Sequence, residues 1–317
     1  MAVAGIDIGG TKISGAIFSE RGQILFKQSY KLENRTGDEV GVLIQQVIGE
    51  LFKEAEKHLL MIKAVGICVP GISYHQTGCV WVPNIPGWEN YPIKKKIEEV
   101  VPVDCNIVVD SDRACAILGE SWTGAAKGCN DAIFLAVGTG IGAGILVNGQ
   151  ILRGAHDIGG AIGWWALDRP FMEKYIPCGC FEYHASGEGL AKVARELLKS
   201  NHEYNGVLRT KSPEEITAYD LFEVFETKDA IAVQTFEIAI QFWGMTVANL
   251  VSIFDPEKII FGGGVFGPAV MFLDDIYLEA KKHAQPVSIQ KVTLEASQLG
   301  GEAVLIGAGY IALNLKS

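Results

Sequence analysis

Alternating apolar and polar positions open the chain as three strands. Val3 to Asp7, Ile13 to Phe18 and Ile24 to Tyr30 each carry the period-two pattern, and Glu20-Arg21-Gly22 supplies a turn between the last two. Asp38 to Leu60 has apolar residues at helical spacing and leads into an apolar run, Ala64 to Val69, that reads as a buried strand. Cys105 to Val109 predicts another strand. Asp112 to Trp122 predicts a helix starting at Ser111 or Asp112, both good N-terminal caps. From Ala132 the plan repeats with two or three strands, then helices over Leu190 to Leu198, Pro213 to Phe225 and Ala230 to Phe254. The strand Lys258 to Phe261 ends in Gly262-Gly263-Gly264, and a last helix, Ala303 to Leu315, is long enough to cross back onto the first lobe.

The repetition extends to single residues. Gly5-Ile6-Asp7-Ile8-Gly9-Gly10-Thr11-Lys12 runs through Gly15-Ala16 to Gly22-Gln23-Ile24-Leu25, and Val137-Gly138-Thr139-Gly140-Ile141 runs through Gly142-Ala143 to Gly149-Gln150-Ile151-Leu152. Gly22 and Gly149 stand 127 positions apart, so the chain contains an internal duplication. Glycines let a backbone turn sharply and bring its N–H groups close to a ligand, and two such turns facing one another suit a polyphosphate. The reading is a two-lobed nucleotide-dependent phosphotransferase. Gly138 to Ala143 also satisfies the G-x-G-x-x-A dinucleotide pattern, with Asp157 near the place of a ribose-binding acid. That pattern needs a helix at the glycines, whereas the residues that follow read as two strands joined by an Asn148-Gly149 hairpin turn.

The 317 residues suffice for two lobes, each with a core, and 49% apolar against 20% charged residues is a globular composition. A formal net charge of −10 argues against a nucleic-acid partner. No stretch reads as a membrane span and the N-terminus does not read as a signal peptide, so a cytoplasmic protein without membrane contact is expected. The seven cysteines lie mostly in apolar runs and read as buried thiols rather than disulfides.

Taken together, these segments resemble the ROK family of repressors and sugar kinases, within the actin-like, hexokinase-like ATPase fold, and the resemblance covers nearly the whole chain. Asp7 to Lys12 is similar to the family's first phosphate loop and Gly138 to Gly142 to its second. Asp255 to Gly264 resembles the adenosine-side loop, Val69-Pro70-Gly71 and Pro83 to Trp88 the sugar-side loops, and Gly300 to Gly309 the closing hinge and helix. The implied fold is α/β: two actin-like (RNase H-like) lobes, each βββαβαβα, with a cleft between them. The expected divisions are 1–118, 119–300 and a terminal helix, 301–317, returning to the first lobe. ATP and magnesium are the expected cofactors and a sugar the acceptor. Assembly is open, a homodimer being one expectation.

Residue types then suggest roles. Asp7, at a strand end beside the first loop, suits magnesium held through water. Gly9, Gly10, Thr11, Lys12, Gly138, Thr139 and Gly140 would face the phosphates, and Gly262, Gly263 and Gly264 the adenosine. Asp112 occupies the family's catalytic aspartate position and would take the acceptor's proton. Asp110 reads as a turn or supporting residue, and Gly119-Glu120 as structural on the exposed side of its helix. Asn84, Ser111, Glu182 and Trp164 are the expected acceptor contacts.

Departures from the family pattern matter as much. Ser111 stands where the family has Asn, and Ala161-Ile162-Gly163-Trp164 replaces a Glu-x-Gly-His segment that binds sugar hydroxyls at the reducing end. An unpaired buried hydroxyl costs ~1–3 kcal/mol, so free glucose should fit poorly. The same histidine and part of a cysteine run are missing from the family's zinc site, leaving Cys178 and Cys180, which cannot close a four-coordinate site without His184, His156 or another group, and no zinc is expected. A non-catalytic sugar or nucleotide sensor is the alternative. A repressor is not expected, because Asp7 lies only six residues from the start, without room for a helix-turn-helix.

Overall fold

β1 (Ala2–Ile8), β2 (Lys12–Ser19) and β3 (Ile24–Lys31) form the antiparallel meander that the alternating pattern calls for. The computed structural model describes residues 2–314. One unit comprises the chain up to Gly128, Ile151–Gly159 and the described residues from Ser297 on, and the other Cys129–Gln150 and Gly160–Ala296.

In the first unit, β4 (Ile62–Val69) and β7 (Asn106–Ser111) extend the meander into a sheet of order β3-β2-β1-β4-β7, with β1, β4 and β7 parallel. The register sets Asp7 beside Cys68, and Cys68 beside Asp110. Three neighbouring strands therefore end at one level, with acidic groups on the outer two. α1 (Gly37–Lys57) covers one face with Val40, Ile44, Val47 and Leu51, and ends before the expected Leu60 because Leu59 turns left-handed (φ 55°). α3 (Asp112–Thr123) and α9 (Ala303–Leu313) belong to the other face. α9 approaches so closely that a Cβ on Gly66 would lie 1.9 Å from the Ala308 carbonyl oxygen. Leu315, the expected end of this helix, lies outside the described residues. A small hairpin, β5 (Ile72–Tyr74) with β6 (Cys79–Trp81), and α2 (Ile93–Glu98) complete the unit.

The second unit repeats the sheet as β10-β9-β8-β11-β12, from β8 (Ala132–Val137), β9 (Ile141–Val147), β10 (Gln150–Ile151), β11 (Lys258–Gly262) and β12 (Thr293–Ala296). Both sheets thus have the order 3-2-1-4-5, and the duplicated βββαβαβα plan holds. Its helices are α4 (Cys180–Ala185), α5 (Gly187–Ser200), α6 (Ala218–Phe225), α7 (Ala230–Phe254) and α8 (Leu273–Ala280).

Three expectations need correction. The helix Pro213 to Phe225 is two pieces, a single turn at Pro213–Glu215 and α6, because Arg195 holds the Pro213 and Ile216 carbonyls while Thr217 caps a new start. α7 is long and apolar enough, by length and composition, to cross a membrane, where the sequence showed no such stretch; more than half of its apolar window is buried, and Phe236, Trp243 and Val247 lie in the core. Glu120 is fully buried rather than exposed. Its carboxylate accepts the Leu299 N–H at 3.1 Å, the Ser297 hydroxyl at 2.5 Å and the Ala125 N–H at 2.7 Å.

Candidate active site

β1 delivers Asp7 to the mouth of a tight turn in which the Gly9 N–H donates to the Lys12 carbonyl at 2.9 Å. Gly10, Thr11 and Lys12 are exposed on that turn. Burial, and next the neighbouring Asp112 carboxylate, push the Asp7 carboxyl up to about 6, against the pull of Lys12. Two acids converge here, and a site crowded with negative charge favours a cation.

Asp112 is the first residue of α3. Ser111 caps that helix, its hydroxyl accepting the Ala114 N–H at 3.3 Å, while Asp112 takes the Arg113 N–H at 2.8 Å. Burial raises Asp112 above the ordinary carboxylate range, with Arg113 drawing it down. A carboxylate held high in this way is a better proton acceptor. Asn84 is exposed in the turn between Val82 and Trp88.

Beside this corner lies a cluster that no local motif announced. The Asp110 side chain, 2% exposed, accepts the Ser111 N–H at 2.8 Å and Arg153 Nη2 at 2.5 Å. His75 stands between two acids, its Nδ1 2.9 Å from Asp157 and its Nε2 3.7 Å from Asp110. Burial alone would raise Asp110, but the His75 hydrogen bond and Arg153 hold it below its usual value. Asp110 in turn raises His75. Asp157, considered above only for a dinucleotide site, belongs to this cluster. Its members come from three separate stretches of chain, so only the fold brings them together.

In the second unit the Gly138 N–H donates to the Gly140 carbonyl at 2.9 Å, leaving Thr139 exposed at the tip. Glu182 of α4 reaches this turn, its Oε2 accepting the Ile141 N–H at 2.7 Å. Burial raises Glu182, with that N–H opposing. Gly263 (φ 90°) and Gly264 follow β11, and the Val265 N–H donates to the Val137 carbonyl at 3.0 Å, tying the two glycine turns together. Both turns border a cavity of about 530 Å³ whose other walls include Glu188, Arg195, Tyr219 and Phe222. Backbone donors at one end and an aromatic wall at the other suit a phosphorylated aromatic base. These four lining residues had no motif of their own.

Trp164 closes a single helical turn, Ile162–Trp164, and is 59% exposed, whereas Trp165 packs against the core. Cys180 and His184 lie one turn apart on α4. His184 Nδ1 is 2.9 Å from the Cys180 carbonyl oxygen, and its ring stacks on Phe242 with centroids 4.2 Å apart. Among the described residues no group of three or more His, Cys, Asp or Glu is arranged to hold a metal ion.

The ROK family profile matches residues 3–314. A glucokinase of Halalkalibacterium halodurans is 30% identical over 97% of this chain and 93% of its own. The crystal structure of a ROK family glucokinase from Streptomyces griseus, in complex with glucose and AMPPNP, is 29% identical and superposes with a TM-score of 0.77, covering 98% of this chain and 99% of the other. A xylose repressor of Caldicellulosiruptor bescii is 26% identical over 96% of this chain and 76% of its own.

Proposed function

The chain belongs to the ROK family, and on that footing we propose that it is an ATP-dependent kinase for a hydroxyl of a sugar or sugar derivative other than free glucose. The observation that carries this reading is Asp112, a half-buried carboxylate raised by desolvation at the start of a helix that the Ser111 hydroxyl caps. Asp112 takes the proton of the acceptor hydroxyl as its oxygen bonds to the γ-phosphorus and the bond to the departing ADP oxygen breaks. Asn84, Ser111, Glu182 and Trp164 hold the acceptor. Ser111 has a hydroxyl proton left to donate, and one Glu182 oxygen is not engaged by Ile141. Gly9, Gly10, Thr11, Lys12, Gly138, Thr139 and Gly140 receive the phosphates. Gly262, Gly263, Gly264 and the cavity beside them receive the adenosine.

Asp7 suits magnesium, since it is ionised above about pH 6 and repelled by Asp112. Magnesium there would neutralise charge on the transferring phosphoryl group. The exposed Trp164 offers an apolar face to a sugar ring or an aglycone where the family's polar pair is absent. A coupled ADP-release screen across hexoses, N-acetyl sugars, polyols and glycosides tests the reading. Sugar-stimulated ADP release is the expected result. Nucleotide or sugar binding without turnover on any acceptor would instead mark a sensor, the role suggested by the repressor relative.

A further inference from the structure

Arg113 follows the proposed base directly, and three features make it costly there. Its Nε is buried with no hydrogen-bond partner. Among the described residues its guanidinium makes no side-chain hydrogen bond and no ion pair. It also occupies the first turn of α3, where the positive end of the helix dipole disfavours a cation. A half-buried guanidinium with a buried, unpartnered Nε carries a desolvation cost, and an anion arriving on its remaining donors would offset it.

The neighbouring acids do not supply that partner. Asp110 is already engaged by Arg153, His75 and the Ser111 N–H, and Asp157 by His75. Asp112 forms no ion pair with Arg113, and as the base it must remain free for the acceptor proton. Arg153 repeats the pattern on a smaller scale, since its Nε is also buried and unpartnered although its Nη2 is bound to Asp110. The surface around Ser111 and Asp112 therefore holds guanidinium donors that no protein group accepts, and Arg113 feels the adjacent Asp112 charge without a hydrogen-bonded ion pair.

Resting on the kinase reading above, we propose that Arg113 binds an anionic group of the acceptor, a carboxylate or a phosphate, so that the substrate class is an acidic sugar. A guanidinium matches either group with paired N–H donors, and a ligand anion would occupy donors that no protein group accepts. The same contact would fix the hydroxyl to be phosphorylated beside Asp112. Loss of the polar pair at Ala161 and Trp164 fits such a ligand, whose strongest anchor is no longer a neutral hydroxyl.

The test is calorimetric binding of D-gluconate, D-glucuronate and glucose 6-phosphate, against D-glucose and D-glucitol, to the wild-type protein and to Arg113→Met and Arg113→Lys, with ADP release measured in parallel. Wild type is expected to prefer at least one acid by roughly 10- to 100-fold, the size of a charge-assisted contact. The carboxylate and phosphate arms identify the anion. Arg113→Met should lose the preference while binding neutral sugars unchanged and melting no lower than wild type; Arg113→Lys should keep part of the preference. Neutral sugars binding as tightly as every acid, or an acid preference that survives Arg113→Met, would overturn the inference. Turnover on neutral sugars without any acid preference removes the acid site and leaves the kinase. Arg113-dependent acid binding without turnover on any acceptor removes the kinase and leaves the acid site.

Discussion

Ser111 and Asp112 share the start of α3: the Ser111 hydroxyl accepts the Ala114 N–H at 3.3 Å and the Asp112 carboxylate the Arg113 N–H at 2.8 Å, which leaves a second Asp112 oxygen for the proposed proton transfer. Asp112→Asn should therefore preserve α3 and nucleotide binding while lowering phosphoryl transfer ~100- to 10,000-fold, the usual loss on removing a general base. Turnover near the wild-type rate would sink the assignment.

Asp7 sets a pH dependence of opposite sign for activity and stability. Its folded pKa of about 6 lies above the ordinary 3.8, so folding carries a penalty for the ionised form. That penalty is absent below about pH 4, grows as pH rises towards 6, and is full above it. Asp7→Asn should accordingly stabilise the protein at pH 8 by about 1–3 kcal/mol in urea titrations, with the gain vanishing near pH 4. The same variant should need far more magnesium for turnover, and wild-type activity should fall as pH drops below about 6. Equal stability of the two proteins at pH 8 would contradict the burial argument.

Glu120 is a structural acid, and its removal should act on stability alone. Glu120→Ala removes the shared acceptor of the Leu299 and Ala125 N–H groups and of the Ser297 hydroxyl, at a cost of about 2–4 kcal/mol. Thermal denaturation reads the loss. The activity per folded molecule should remain that of wild type.

Metal content separates Cys178 and Cys180 from a structural zinc site. The purified protein should hold less than one zinc per chain and melt at the same temperature after chelation. One tightly held zinc by elemental analysis would refute this and direct attention to His184, whose Nδ1 is 4.0 Å from the Cys180 sulfur.

The proposed change of acceptor is checked by restoring the family's polar pair. An Ala161→Glu, Trp164→His double variant should gain on free glucose by roughly 10-fold or more in kcat/KM, since each restored partner for a buried hydroxyl is worth about 1 kcal/mol. A wild type that already prefers glucose, with no gain in the variant, would leave Trp164 without a role in selectivity.

The parts of the molecule legible in the sequence are those in which neighbours in the chain are neighbours in space. Strands β1 to β3, the two glycine turns and α7 carry their own periodicity, and α7 was read to the residue. Glu120 was misread because a charged residue on a helix normally faces water, and nothing local reveals the three donors that converge on it. The break at Ile216 depends on Arg195, twenty-one positions away. The His75, Asp110, Arg153 and Asp157 cluster draws on β7 and two loops, so no spacing rule could have assembled it. The unpaired Nε of Arg113 likewise exists only in three dimensions.

The close seat of α9 against Gly66 has a consequence for how the molecule is made. The sheet β3-β2-β1-β4-β7 is translated before the second unit, yet α9 follows that unit in the chain, and Ile151–Gly159 and the described residues from Ser297 on belong to the same unit as the sheet. A nascent chain therefore exposes an incomplete first unit while the second is being added, and a ribosome-bound intermediate lacking α9 should show protease cleavage in residues 62–69 that disappears on release.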